Sequence, residues 1–574
     1  MMTRTITWPK RRVRHSTRAL ATALLATLSL AALAIPTKAF AASEIHLSDG
    51  QTFDLSQAND ATTIYVDEAG DYRLTGSSNK VLVDIQVPQG QHSSIVLDGI
   101  NLAPNDGAPG TTGEARSPIT VRNTGGNASL VSAAGTTSAI TGFGDAPAIQ
   151  KVGTKTELTF KTEDPASTGT IVARVDASAT GACAIGAYGT QKASIPAMTG
   201  NIIFESGVVE AYGAAGDGSE SSGGAGIGGG YGCSVNGITI SGGSVHAEGA
   251  TGIGGGTDGD GLNIKITGGL VEARGRYTGI GGGKCTGTLT ESPYTWFGEA
   301  TVDISGGMVN ASCTGSDAGV GIGSWKSCVA GKPELNGRGH VSITGGTVSA
   351  KGANGLAGIG TGLCGSLDYV SISGGSVYAE GSGGAPGIGM PEDVQDANSR
   401  IRRISISGGT IEAVAGSNAT YSIGALLGDV SAGSRGAAPV YINGGNVMAE
   451  KGFDVTPQQS AGGPTVSRYQ VDVETYGHET DLSDSAVSSL VIRDTDDDDS
   501  SATLPYGFTD MHPFATASSA ATLYLWLPSY NERTIELELS PATNLPHGDA
   551  SFSNSSQGTG GMTLYPPHAG KTCC

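Results

Sequence analysis

Glu210, His246 and Glu272 each stand three residues after the second glycine of a recurring phrase. If each copy of the phrase is one rung of a stack of strands, the positions three and five residues on share an outward face. The paired positions then read Glu210/Tyr212, His246/Glu248, Glu272/Arg274, Asn310/Ser312, Ser349/Lys351, Tyr378/Glu380, Glu412/Val414 and Met448/Glu450. His246 would lie between Glu210 and Glu272, with Glu248 facing Arg274. Carboxylates two rungs apart are separated by about 9.6 Å, near the upper limit for the acid and base of an inverting glycosidase. A solvated, salt-bridged sheet face uses the same residues and is the preferred reading; Glu210, His246 and Glu272 carry catalysis only if the chain is an enzyme.

A second kind of chemistry is suggested by aromatic rings outside the phrase. The insertion Thr290 to Ala300, TESPYTWFGEA, gathers Tyr294, Trp296 and Phe297 with Glu291 and Glu299. Trp325 stands in a neighbouring loop, and Tyr378 on the outward column. A sugar presents an apolar C–H face that stacks on such rings, while carboxylates hold its hydroxyls. Packing of this loop onto the flank of the fold is the preferred reading, and sugar binding is the best local site hypothesis. Cys285, Cys328 and Cys364 each follow the second glycine of a GIG core by four or five residues in consecutive repeats, so they should stack. A disulfide between two of them, or buried thiols, are the two alternatives. Cys183, Cys233 and Cys313 complete the internal set. The run 494–499 opens like a calcium loop through Asp494, Asp496 and Asp498, but Asp499 and Pro505 replace the required glycine and glutamate, which favours a plain acidic turn. There is no GxSxG, HExxH or phosphate-loop motif, and no sequence-adjacent histidine makes a zinc site of the cysteines.

The elements that must position these residues repeat. The phrase, seen as ITISGGSVHAEGATGIGGG over Ile238 to Gly256, occurs eight times, with second glycines at 207, 243, 269, 307, 346, 375, 409 and 445. Intervals of 26 to 39 residues around a constant phrase suit short strands with loops of free length, not helical repeats of fixed period. In that copy Ile238, Ile240, Val245 and Ala247 fall on one face, and Thr239, His246 and Glu248 on the other. The glycine pair marks a sharp turn with positive φ, and the GIGGG glycines are read as turns too. Three strands and three turns per unit predict an all-β, single-stranded right-handed parallel β-helix, a solenoid, with a small C-terminal β domain or cap. Degenerate coils are expected at 64–66, 81–87, 94–97, 119–121, 148–149 and 184–186, the first of them closing the N-terminal end.

Four segments follow. Residues 1–41 carry seven bases, no acid, an apolar run from Ala19 to Ile35 and an Ala39-Phe40-Ala41 site, the pattern of a cleaved export signal. Residues 42–198 hold the N-terminal cap and degenerate coils, 199–453 the clear repeats, and 454–574 a β-rich region with Trp526 in its core. Without the signal, 26 basic against 53 acidic residues leave a net charge near −27. Such a surface repels nucleic acid and anionic membranes. No second long apolar stretch is present to span a bilayer. The expectation is a secreted protein or one held non-covalently at the cell surface.

The phrases ISGGSV-x-AEG and GIGGG, with TTIYVDEAGDYRLTGSS (Thr62 to Ser78), SSIVLDGINLA (Ser93 to Ala103) and ATLYLWLP (Ala521 to Pro528), resemble exported bacterial right-handed β-helix surface proteins of carbohydrate-binding type. The resemblance covers most of the chain beyond the signal and is specific for fold. It implies a cell-surface, adhesin-like role engaging polysaccharide or host glycans, and it maps no catalytic motif here. The rival reading is a glycoside hydrolase, or less readily a polysaccharide lyase, acting on neutral polysaccharide from the same scaffold. A lyase needs cations near an acidic sugar, and the outward column offers only Arg274 and Lys351.

Overall fold

Each repeat places its β-branched residues at alternate positions, and those residues form the inside of a parallel coil. The computed structural model describes the chain from Ser43 to Val466 except residues 59, 111–113, 167, 189–197, 217–221, 286–297, 315–316, 327–338, 393–398, 428–435 and 464. The side chains of Cys364 and Asn446 are also outside the description, and beyond Val466 only the backbone of six strands is described. Three parallel sheets run the length of the coils. In the first, Leu158 pairs with Ile202, Ile202 with Ile238, Ile238 with Ile264, and so on to Val440. The second carries Ile171, Val209, Val245, Val271, Val309, Val348, Val377, Ile411 and Val447 in register, with an alanine column two residues on. The third stacks Ile149, Ile185, Ile227, Ile253, Ile280, Ile322, Ile359, Ile388 and Ile423. Some strands bend through more than one sheet: Gly261–Gly282 contributes to all three.

These inward residues are almost wholly buried and make one continuous core. Each buried isoleucine or valine contributes on the order of 1.5–3 kcal/mol of transfer free energy, so the column stabilises by repetition. Phe160 and Phe204 stack in the first sheet at 4.8 Å between centroids, and both are buried. The degenerate segments read from sequence are strands, and most occupy a single column. Ile64, Val83, Ile119 and Ile149 follow one another in the third sheet, while Ser94 to Leu97 belong to the first.

The two glycine signals have different causes. The second glycine of each pair has φ between 75° and 87°, as a sharp turn between the first and second sheets requires. The GIG glycines are not turns, which corrects the sequence reading. Gly228, Gly254, Gly281, Gly323, Gly360 and Gly389 lie in or directly along the third sheet with φ of 134° to 141°. A Cβ on Gly254 would stand 1.8 Å from the carbonyl oxygen of Gly281, and one on Gly281 would stand 2.1 Å from that of Gly323. Each coil thus forbids a side chain in the coil before it.

Past the coils, two three-stranded antiparallel sheets follow. Val466–Thr475 lies between Ala520–Pro528 and Gly548–Asn554, and Ser489–Asp494 between Thr503–Gly507 and Ile535–Ser540. No helix of the described residues is long and apolar enough to cross a membrane.

Candidate ligand-binding face

The outward side of the second sheet carries the residues whose spacing suggested chemistry. Register pairs Glu210 with His246, His246 with Glu272, Tyr212 with Glu248, and Glu248 with Arg274. Higher up, Asn310, Ser349, Tyr378 and Glu412 continue one column, and Ser312, Lys351 and Glu380 the other.

Side-chain geometry adds what register cannot. His246 Nδ1 lies 2.9 Å from Glu272 Oε2, and Nε2 lies 3.1 Å from Glu248 Oε1, so the imidazole bonds Glu272 and Glu248 rather than Glu210. Both ring nitrogens face carboxylate oxygens, and both contacts are hydrogen bonds only when the ring carries two N–H groups. The Arg274 guanidinium donates to Glu272 and, at 3.3 Å, to Glu248. Glu210 accepts from the Tyr212 hydroxyl at 3.0 Å and lies 3.9 Å from Arg174 of the preceding coil. Arg174 also sits over the Tyr212 ring, 3.9 Å from its centroid, and the His246 ring is 5.4 Å away.

The charges settle the protonation of the key acid. Burial pushes the Glu272 carboxyl up, but hydrogen bonds from His246 and Arg274 outweigh it and hold Glu272 below the ordinary carboxylate range. Glu272 is therefore a charged hydrogen-bond acceptor near neutral pH. Tyr378 repeats the Tyr212 arrangement four coils beyond Glu248. Its hydroxyl donates to Glu380 at 2.9 Å, Lys351 lies over its ring at 5.3 Å, and the same lysine pairs with Glu380 at 2.9 Å. Burial and the Glu380 bond raise the Tyr378 hydroxyl to about 12.

Beside this column lies a cleft of about 300 Å³ lined by Tyr212, Glu248, Arg274, Arg276 and Thr314. Arg276 is fixed at its rim by Asp317 and by the Gly216 carbonyl at 3.0 Å. A tyrosine, a glutamate and two arginines thus wall one hollow whose volume is at the lower limit of small-molecule sites. Sequence reasoning missed Arg174 and Arg276. Arg174 was legible in principle, because Gly169-Thr170-Ile171-Val172-Ala173 is the phrase with isoleucine for valine and one glycine for the pair. Arg276 follows the phrase on a bend and has no positional signal.

A larger hollow of about 540 Å³ lies on the first sheet of the N-terminal coils, lined by Asp71, Arg73, Val96, Val131, Lys161 and Glu163 among others. Arg73 spans it by bonding Asp98 at 2.8 Å and also Glu163.

Other expected site residues are placed differently. Trp325 is 8% exposed, packs edge-on against Tyr277 at 6.1 Å, and donates its indole N–H to the Ala318 carbonyl. Lys284 covers both rings, at 4.6 Å from Tyr277 and 5.2 Å from Trp325. The indole is used in a satellite core with Ala250, Val320 and Leu356, so the expectation that it offers a sugar an open face is corrected. Tyr294, Trp296 and Phe297 lie outside the described residues, as do Cys328, Asp496 and Asp498; for Asp494 only the strand backbone is described. Cys285 is buried, and Cys364 is in register with Lys326. Among the described residues no group of three or more His, Cys, Asp or Glu side chains is arranged to hold a metal ion.

Four stretches match the model of the β-helix repeat family: residues 238–257, 341–363, 370–390 and 404–429. Each begins on a first-sheet strand and ends past the glycine column of the third sheet, one full coil. No curated protein and no solved structure matches the chain. Stacked parallel coils and matching repeats together make this a β-helix repeat protein.

Proposed function

We propose that the chain is an exported right-handed β-helix that binds glycans at or beyond the cell surface, using the outward face of the second sheet. The observation that carries this reading is the cleft bounded by Tyr212, Glu248, Arg274 and Arg276. Polyhydroxylated ligands are held by fixed donors and acceptors around a partly apolar hollow, and here Tyr212, Glu248, Arg274 and Arg276 are each oriented by a neighbour. Binding is favoured over cleavage because the carboxylates are committed to protein partners. Glu210 is bonded to Tyr212, Glu272 to His246 and Arg274, and Glu272 is held in its charged form. The strongly acidic surface favours neutral glycans over acidic ones.

The test is a panel of neutral and acidic polysaccharides, scored for both retention of the protein and release of reducing ends. Retention on neutral members without release, weakened by Tyr212→Ala, is the expected outcome. Release of reducing ends that Glu210→Gln or Glu272→Gln abolishes would make the chain a hydrolase instead, and retention on no member would overturn the reading.

A further inference from the structure

The coil that ends at Tyr188 and the coil above it are tied by a loop that brings two cysteines onto the carbonyls of successive residues. Gly230 donates its N–H to the Ala187 carbonyl at 3.1 Å, and Tyr231 donates to the Gly181 carbonyl at 2.7 Å. The loop therefore folds back across the segment that holds Cys183. Cys233 N–H closes the turn onto the Gly230 carbonyl at 2.9 Å. Gly181 is fixed from below, because its N–H donates to Asp145 Oδ1 at 2.8 Å.

Both thiols end on neighbouring carbonyls. Cys183 Sγ donates to the Ala187 oxygen at 3.1 Å, and Cys233 Sγ to the Tyr188 oxygen at 3.4 Å. Both residues are buried, at 0% and 1% exposure. The two cysteines are not register partners; the folded-back loop, and not coil spacing, brings their sulfur atoms to the oxygens of successive residues.

We propose that Cys183 and Cys233 form a disulfide that staples these two coils in the exported protein. The proposal rests on the export reading above. The chemistry is a two-electron oxidation: each thiol gives up its proton, one Sγ–Sγ bond forms, and a disulfide-class oxidant of the exporting compartment is reduced to its dithiol. Burial, with the Cys233 thiol close by, pushes the Cys183 thiol well up. A buried thiol of that kind is a poor nucleophile, so the bond forms while the coils assemble and not afterwards. The pair differs from the Cys285, Cys328 and Cys364 set that the repeat spacing singled out.

Two samples of the full chain test it. Protein recovered from the medium of the producing cells, and reduced, unfolded protein refolded in a glutathione redox buffer, are alkylated under denaturing conditions without reductant and digested. The expected result in both is a Cys183–Cys233 linked peptide, lighter by two hydrogen atoms than its separated parts. Cys183→Ser should remove it and leave Cys233 open to alkylation. Full alkylation of both cysteines after refolding, or linkage of either to a different cysteine, overturns the pairing. Reduced thiols in protein recovered from the medium would overturn the staple in the exported protein, whereas linkage on refolding with no protein in the medium would uphold the pairing and contradict the export reading.

Discussion

The glycine–isoleucine column of the third sheet and the outward column of the second sheet belong to the same coils, yet they tolerate opposite things. In the third sheet, Ile227, Ile253, Ile280, Ile322 and Ile359 are the same residue five times, each followed by a glycine that the next coil's carbonyl keeps bare. In the second, the positions in register are Glu210, His246, Glu272, Asn310, Ser349 and Tyr378. Agreement among copies is enforced where backbone meets backbone. Where side chains meet solvent, each coil is free to differ, and the ion-paired patch between Arg174 and Arg274 uses that freedom.

The sharpest way to break this contrast is to put a methyl group on the third-sheet column. Gly254→Ala meets the Gly281 carbonyl and a positive φ together, and should cost about 3 kcal/mol or more. A fall in denaturation midpoint, or loss of soluble protein, is the readout; an unchanged midpoint would show that the column can yield. Removing one methyl group from the same column, as in Ile253→Val, should cost about 1 kcal/mol, measured in the same way.

The upper end of the column offers a pH test. A Cβ on Gly424 would stand 2.5 Å from Asp454 Cγ, so that carboxyl closes over the last glycine. Burial raises Asp454 to about 7, against hydrogen bonds from backbone N–H groups such as that of Ala425 at 3.0 Å, and Glu392 adds to the rise. The fold accepts the neutral carboxyl. Its contribution is fully present below the ordinary carboxylate range, about 3.9, and is lost as pH rises through about 7. Amides of the final coil should exchange faster at pH 8 than at pH 5, and Asp454→Asn should flatten that difference. An exchange rate corrected for intrinsic pH effects that does not change would contradict the assignment.

The smallest stability effect belongs to the outward column. Arg274 is 43% exposed, and its pairs with Glu248 and Glu272 are screened, so Arg274→Ala should lower stability by about 0.5 kcal/mol. A loss as large as that of Gly254→Ala would mean the charged face is scaffold after all.

Sequence legibility follows the same division. Period-two alternation marked the inward columns, and the constant phrase placed Glu210, His246 and Glu272 on successive rungs. Residues outside the phrase were not legible. Arg276 reaches the cleft from a bend, and Cys233 reaches Tyr188 only because a loop folds back. The GIG glycines were misread as turns because a turn and a backbone close approach leave the same residue in the sequence. Trp325 looked like a ligand contact because the sequence placed it in a loop, whereas it lies in the strand Val320–Lys326 and packs on Tyr277.

The most direct test of glycan binding at the irregular face is a calorimetric titration of the best-retained neutral oligosaccharide into the native protein and into Arg274→Ala, with melting temperatures recorded for both. The account predicts binding to the native protein and an affinity weaker by about tenfold or more in the variant, as expected for a lost charge-assisted hydrogen bond, at nearly the same melting temperature. Equal affinity in the two proteins would place the glycan elsewhere and contradict the claim.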